Sequence, residues 1–271
     1  MKKRSIVQVL PMFFLLGLVP VWPQTAAAQT PSGQTAPKPT PEQIEEIKRQ
    51  SERASAMNAL ILQAQTAMIN KKWQDAIPPL QQLIALDPGD WEFYSALGDA
   101  YLNLGQYDQA VNAYQKGIDA AESNTRVDPN NVITDPAKKK AGEAKMLTNQ
   151  GNAYLKMRKT DQAIAAYTRA ANMDPNPATA FFNLCATQYN TGNVDGALAA
   201  CNKAIALEPN KADAYFIKGS ILVAASTTDK NGKVTAPPGT AEAFKKYLEL
   251  APNGAHVDDV KQMLDFIGSK I

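Results

Sequence analysis

The chain has 271 residues and a near balance of charge, 28 Lys and Arg against 26 Asp and Glu, for a net +2. No basic stripe stands out, which argues against a nucleic-acid partner. A single His and two separated Cys do not make a credible zinc site.

The chain opens with Lys2, Lys3 and Arg4, continues through an apolar run from Ser5 to Val19, and reaches Ala26-Ala27-Ala28 after Pro20 and Pro23. Those are the three regions of a secretory signal peptide, with cleavage expected after Ala28. The apolar run is short for a membrane span, which needs about 20 residues. A retained anchor is the rival reading, and membrane contact is expected only through an unprocessed leader. Loss of the three basic residues takes the net charge from +2 to near −1. The expected location is a bacterial periplasm or the outside of the cell. Residues 29–40, QTPSGQTAPKPT, cannot build a core and read as a mobile tether.

At Thr40 the pattern changes sharply. Thr40 suits an N-cap, Pro41 the first helical position, and Gln43 completes a capping box. Helix is expected from Pro41 to about Asn70, as one piece or two, with Ile44, Ile47, Ala54, Met57, Leu60, Ile61, Ala64 and Ala67 at helical spacing. Its more polar first half is expected to project. The next stretch, WQDAIPPLQQLIALDPGD, is also helical, but Pro78 and Pro79 predict a kink or a late start.

From Trp91 a period becomes readable. In WEFYSALGDAYLNLGQYDQAVNAYQKGIDAAE, Tyr94, Leu97, Gly98 and Tyr101 share one helix face, and Ala110, Tyr114 and Gly117 share another. Gly98, Ala110 and Gly117 would let the two helices cross closely. The clearest repetition runs from Ala144 to Pro209, where two 34-residue blocks stand head to tail. Leu147 matches Phe181, Gly151 matches Cys185, and Ala163, Tyr167, Ala170 and Pro175 match Ala197, Cys201, Ala204 and Pro209. A fixed period of this size marks a helical repeat array, in which units stack because none can bury its apolar face alone.

Two interruptions break the period. From Pro88 to Pro175 the chain holds two periods plus 19 residues. The surplus lies in Ser123–Gly142, either a specificity loop or a tolerated surface extension. Asp135-Pro136 looks like an early helix start, so the helix is expected to stick out, and the lysines of AKKKAG read as a solvated face. The second interruption, Thr227–Gly239, carries the turn signals Asn231-Gly232 and Pro237-Pro238-Gly239 and reads as a hairpin-like excursion or an open loop. An amphipathic helix over 256–268 should cover the end of the stack. The expected organisation is a leader (1–28), a linker (29–40) and one helical domain (41–271).

These positions resemble the tetratricopeptide repeat, which spaces Trp/Tyr, Leu, Gly, Tyr, Ala, Phe/Tyr, Ala and Pro in this way. The match in repeat two is Tyr94, Leu97, Gly98, Tyr101, Ala110 and Tyr114; in repeat three it is Leu147, Gly151, Tyr154, Ala163, Tyr167, Ala170 and Pro175. Repeat four departs at Cys185, Gln188 and Cys201, and repeat five at Thr240. The resemblance covers about 57–255. It implies an all-α, right-handed solenoid of about five stacked antiparallel helix pairs with two insertions and a C-terminal capping helix.

The resemblance also implies a concave groove, lined by the first helix of each repeat, that binds a peptide or protein and is seldom catalytic. Carried over, the groove positions include Glu92, Ser95, Asp99 and Asn103 in repeat two and Lys145, Thr148, Asn149, Asn152 and Lys156 in repeat three. Repeat four supplies Thr179, Phe182, Asn183, Tyr189 and Asn190, and repeat five Asp213, Phe216 and Ser220. Asn149, Asn152 and Asn183 resemble the asparagine part of a carboxylate clamp, but Thr148 stands where a lysine belongs and repeat five has no arginine. Asparagine can still read a peptide backbone, since each amide both donates and accepts.

Cys185 and Cys201 lie on the two helices of repeat four. They are either a disulfide clipping those helices together in an oxidising compartment or two buried thiols. His256 reads as a surface residue. No nucleophile has a histidine in a matching context, and no glycine-rich phosphate loop is present. The reading is of a non-catalytic, cofactor-free, protein- or peptide-binding scaffold of the bacterial envelope. A self-associating structural spacer, or a glycan-binding module using Phe182, Tyr189 and Phe216, is the alternative.

Overall fold

The computed structural model describes residues 38–123 and 135–269. The expected leader (1–28), most of the expected linker (29–40) and the middle of the first insertion (124–134) lie outside the described residues. Among the described residues eleven α-helices follow one another, with one two-stranded hairpin late in the chain. Among the described residues no helix is long and apolar enough to cross a membrane.

The leading helix α1 (Pro41–Ile69) is one continuous helix. The Gln43 backbone N–H donates to Thr40 Oγ1 at 3.3 Å, and the Thr40 N–H donates to Gln43 Oε1 at 2.8 Å. Its partner α2 (Trp73–Leu86) begins before the two prolines rather than after them. Pro78 and Pro79 remove the hydrogen bonds to the carbonyls of Gln74 and Asp75. Both of those residues sit in the first turns and are exposed, so water can take over, while Pro79 is buried as a core residue.

Three further pairs follow the same plan: α3 (Trp91–Asn103) with α4 (Tyr107–Glu122), α5 (Pro136–Lys156) with α6 (Thr160–Met173), and α7 (Ala178–Asn190) with α8 (Val194–Leu207). The turn inside each of the first four pairs passes through one left-handed residue at the same point of the period, namely Lys71, Gly105, Arg158 and Gly192, with φ between 56° and 77°. Glycine takes this conformation freely; Lys71 and Arg158 bear its steric cost. The fifth pair, α9 (Ala212–Ala224) and α10 (Thr240–Leu250), is separated by the hairpin of β1 (Thr227–Thr228) and β2 (Val234–Thr235). Asp229 Oδ1 accepts from the backbone N–H groups of Asn231 and Lys233 at 2.8 and 2.9 Å, and Gly232 has φ 80°, which shapes the excursion as a tight hairpin. Last comes α11 (Val257–Phe266), which lays Val260 and Leu264 on Phe244 and Tyr247.

One position pair explains how each repeat closes. In repeat two the ring of Tyr114 lies on Gly98; in repeat three a Cβ on Gly151 would stand 2.6 Å from Cε1 of Tyr167; in repeat five one on Gly219 would stand 2.5 Å from Cε1 of Phe244. The ring occupies the volume that any side chain at the glycine would need. Repeat one places Ala64 and Leu80 at the same positions, both buried. Repeat four places Cys185 and Cys201 there, joined as a disulfide with Cα atoms 4.9 Å apart. The bond therefore takes the place of the ring-on-glycine contact. Gly117 serves a different junction: a Cβ there would meet Met146 Sδ of the next repeat at 2.6 Å and Tyr94 Cβ at 3.0 Å.

The interior is continuous across the first insertion. One buried cluster runs from Trp91 through Tyr114, Ile118 and Ala121 on to Met146, Leu147, Tyr167, Leu184 and Ile221. A second cluster, from Ala64 to Ala113, fills the first two repeats, and Tyr101 packs against both. At the insertion's far side, Asp135 caps α5 by accepting from the Ala137 N–H at 2.9 Å. The helix does begin early, but only its first turn stands free. Gly142 lies against the Trp91 indole, with no room for a Cβ, and Lys138 Nζ pairs with Glu92 at 2.6 Å. The expected protrusion is thus largely a helix docked on the start of α3.

Beside that contact sits a buried acid, Glu143, with Lys139 Nζ 3.9 Å away. Burial pushes its carboxyl above the ordinary 4.5; Lys139 opposes the shift, Glu122 adds to it, and Lys140 and Arg169 oppose it. A group with a raised native pKa holds its proton more tightly folded than unfolded, so stability falls as pH rises through the interval above 4.5. Glu143→Gln is expected to remove that slope and raise the melting temperature at pH 7. Thermal unfolding of both proteins at pH 4 and pH 7 checks this; an equal pH response in both would contradict it.

Candidate partner-binding groove

The first helices of the pairs, α3, α5, α7 and α9, present the face on which the sequence placed its binding residues. Counted from Trp91, Ala144 and Ala178 as the first positions of repeats two, three and four, Asn149 at the sixth position reaches back to the preceding repeat, and in repeats two and three the ninth position lies beside the tyrosine that closes the repeat. That register brings Asp99, in repeat two, next to Lys145 and Asn149, in repeat three. Asp99 Oδ1 accepts from the Tyr114 hydroxyl at 2.7 Å and from Asn149 Nδ2 at 2.9 Å, and Oδ2 accepts from Lys145 Nζ at 2.9 Å. Burial first, then the Asp99 charge, hold the Tyr114 phenol well above its ordinary range, so it stays a donor. One repeat further on, Asn152 Oδ1 accepts from the Tyr167 hydroxyl at 2.7 Å, and Asn152 Nδ2 reaches Asn149 Oδ1 at 3.4 Å. Burial raises the Tyr167 phenol as well.

The candidates therefore divide. Lys145 and Asn149 are committed to Asp99, and Asn152 is half committed to Tyr167. Ser95 and Ser220 are buried, Ser220 donating to the Phe216 carbonyl at 2.8 Å. Phe182 lies beneath Lys211 Nζ, 5.1 Å from the ring centre. Phe216 is stacked face to face with His256, centroids 3.9 Å apart and planes 6° from parallel, so one face of that ring is already covered. His256 is thus a half-buried packing residue.

What stays open lies between repeats three and four. A cleft of about 270 Å³ is lined by Asn152, Leu155 and Tyr167 from α5 and α6 and by Asn183, Ala186 and Asn190 from α7, with Thr160 and Thr191 at its rim. Asn183 and Asn190 make no side-chain hydrogen bond among the described residues, so their amides face the opening with all their valences unspent. Lys156 and Tyr189 are exposed on the same two helices. A larger cleft of about 490 Å³ lies elsewhere, among α2, α3 and α4, lined by Tyr94, Tyr101, Asn112 and Lys116. The sequence reading did not single it out, since these residues serve the repeat pattern or its polar outer face.

The arrangement offers amides, a hydroxyl and an ammonium but no poised nucleophile or base. Among the described residues no three His, Cys, Asp or Glu side chains come together to hold a metal ion. Two stretches, 67–128 and 148–212, match models of the tetratricopeptide repeat. The chain belongs to the tetratricopeptide repeat family. Both matched stretches carry the glycine–ring or disulfide pairs described above. Repeats of this family are typically non-catalytic scaffolds for protein interaction, and that is the general role of this array.

Solved structures of similar fold include the MamA protein, 20% identical over 73% of this chain and 92% of that one, with a TM-score of 0.54. YrrB, described as a tetratricopeptide repeat protein with an unusual peptide-binding site, is 18% identical over 73% of this chain and 88% of that one, with a TM-score of 0.53. PilF of Pseudomonas aeruginosa is 15% identical over 80% and 89%, with a TM-score of 0.56. Identities this low speak for the fold alone. No curated protein matches the sequence.

Proposed function

We propose that the array recruits a partner protein in the bacterial cell envelope by holding an extended segment of it in the cleft between α5 and α7. The observation that carries this reading is the pair of unspent amides, Asn183 and Asn190, about two helical turns apart in one open cleft with Asn152 across from them. Two amides seven residues apart on a helix stand about 10 Å apart along its axis, the span of three extended residues. They can therefore pair with the backbone of an extended chain without reading its side chains. The neutralised Asp99–Lys145 pair leaves this part of the face without a dominant charge, which suits an uncharged segment. The leader-like start of the chain and the disulfide of repeat four support an oxidising envelope compartment.

The test uses a displayed peptide library panned on the purified chain, followed by binding isotherms for a selected peptide. Each lost amide contact is worth about 1 kcal/mol, so Asn183→Ala with Asn190→Ala should weaken binding roughly 30-fold while leaving the melting temperature unchanged. Unchanged affinity would place binding on another surface. Fusion of residues 1–40 to a reporter active only outside the cytoplasm tests the location; an inactive fusion would contradict it.

A further inference from the structure

The cleft of about 490 Å³ opens over Tyr94. At the matching position of the next three repeats the side chain is covered. Leu147 is fully buried, Phe181 carries Lys203 Nζ 4.8 Å from its ring centre, and Tyr215 packs in the terminal cluster. Tyr94 belongs to neither of the two large core clusters, and its hydroxyl makes no hydrogen bond among the described residues. Lys116 holds in repeat two the place that Lys203 holds in repeat four, yet it lines the cleft.

The walls are the second helices α2 and α4, and α3 packs against both. Tyr94 and Tyr101 stand seven residues apart on α3, on one side of the helix and about 10 Å apart along it. Leu97, Ile84 and Ala113 make the lining between them apolar. A polyproline II segment returns every third residue to the same side, about 9 Å apart. Two of its prolines can therefore lie on both rings at once. A strand returns side chains to one side at about 7 or 13 Å, and neither spacing fits. A helix has a repeat near 10 Å too, but its carbonyls are already bonded within it. The α4 wall offers donors that call for carbonyls: the amides of Gln109 and Asn112 are exposed and make no hydrogen bond among the described residues. Polyproline II has no internal hydrogen bonds, so its carbonyls are free to accept.

Charge sets the two ends of the cleft. Asp108 and Lys116 are the charged residues that line it, eight residues apart on α4, about 12 Å along the axis. Asp108 is 84% exposed and stands 3.6 Å from Lys159 Nζ, a solvated pair that a ligand can outcompete. Lys116 has no ion pair among the described residues, and it stands at the Tyr94 end, where Gly117 meets Tyr94 Cβ. We propose that this cleft holds a polyproline II segment of a partner protein. Two prolines three residues apart lie on Tyr94 and Tyr101, with a basic residue toward Asp108 and an acidic one toward Lys116. The chain's own Pro31, Pro37 and Pro39 do not have that spacing. The site is separate from the cleft between α5 and α7 and does not depend on it.

Fluorescence anisotropy of the full chain with a labelled peptide, Gly-Arg-Pro-Ala-Ala-Pro-Glu-Gly, tests this. Binding should saturate well below about 1 mM, and the same peptide with both prolines replaced by alanine should not bind. Tyr94→Ala should weaken binding about 10-fold or more, as expected for a central aromatic anchor. Asn112→Ala should weaken it about 5-fold, the loss of one hydrogen bond. Both variants should keep the native melting temperature. Lys116→Glu separates recognition from folding: the native chain should prefer the peptide above to one with Arg in place of its Glu, and the variant should prefer the second. No saturation at about 1 mM, equal binding of the alanine peptide, or an end preference that Lys116→Glu leaves unchanged would each overturn the proposal. So would binding of chitotetraose that Tyr94→Ala removes, with no binding of the peptide.

Discussion

Adding a single methyl group at Gly98 is expected to cost the protein about 2–3 kcal/mol, several times what most surface substitutions cost. The Cβ of Gly98→Ala would fall on the ring of Tyr114, which is fully buried and has no empty volume to retreat into. The ring is further fixed at its far end, where its hydroxyl donates to Asp99. Repeat one shows how the same position accepts an alanine, because it places Leu80 where Tyr114 stands. The double variant Gly98→Ala with Tyr114→Leu should therefore recover part of the loss, giving a favourable coupling of about 1–2 kcal/mol in a double-mutant cycle. Urea unfolding of the four proteins measures it. Simple additivity would show that the glycine and the ring do not share one volume.

The second large effect is expected at repeat four. Cys185 and Cys201 close a loop with a sequence separation of 16. Removing a crosslink over a loop of that size costs about 3 kcal/mol in the chain-entropy account. Both sulfurs are fully buried, so Cys185→Ala with Cys201→Ala also leaves a small void and adds to the cost. Reduction should destabilise the native chain by about the crosslink's share, the double alanine variant should be somewhat less stable still, and the variant should be indifferent to reductant. Repeat four cannot fall back on the contact its neighbours use, since neither position carries a ring. Stability unaffected by reductant in the native chain would contradict this account.

Much of this fold is legible in the sequence because its determinants are local. Thr40, Pro41 and Gln43 mark a helix start that the structure forms, hydrogen bond for hydrogen bond. The 34-residue period carries the pairing of α5 with α6 and α7 with α8 because each repeat buries the same positions. Of the two outcomes that the prolines of α2 suggest, the late start does not occur, for an instructive reason: the cost of an interior proline assumes that the orphaned carbonyl has no solvent, and here Gln74 and Asp75 are exposed. The first insertion misled in the other direction. Nothing near Pro136 announces that Gly142 will receive the indole of Trp91, some 50 residues earlier, because that contact depends on how repeats two and three are offset.

The same offset hides the state of the groove. Lys145 and Asn149 carry the right chemistry for a ligand and sit on the right helix, yet Asp99 of the repeat before takes both. No local pattern distinguishes them from Asn183 and Asn190, whose preceding repeat offers Asn152 and no carboxylate at the matching place. A pairwise reading could have found the difference: position nine of one repeat with position six of the next is Asp99 with Asn149 in one case and Asn152 with Asn183 in the other. Phe216 escaped for a related reason, since the histidine that covers it comes from the capping helix and not from a repeat.

The central functional claim is that partners are held on the face between repeats three and four. A photoreactive residue incorporated at Asn190, in the cell that makes the protein, tests it most directly, with the same residue at Lys203 on α8 as the reference position. Irradiation should yield a discrete adduct from Asn190 and none from Lys203, and the adduct should fade when Asn183 is changed to Ala. An adduct from Lys203 with none from Asn190 would contradict the account.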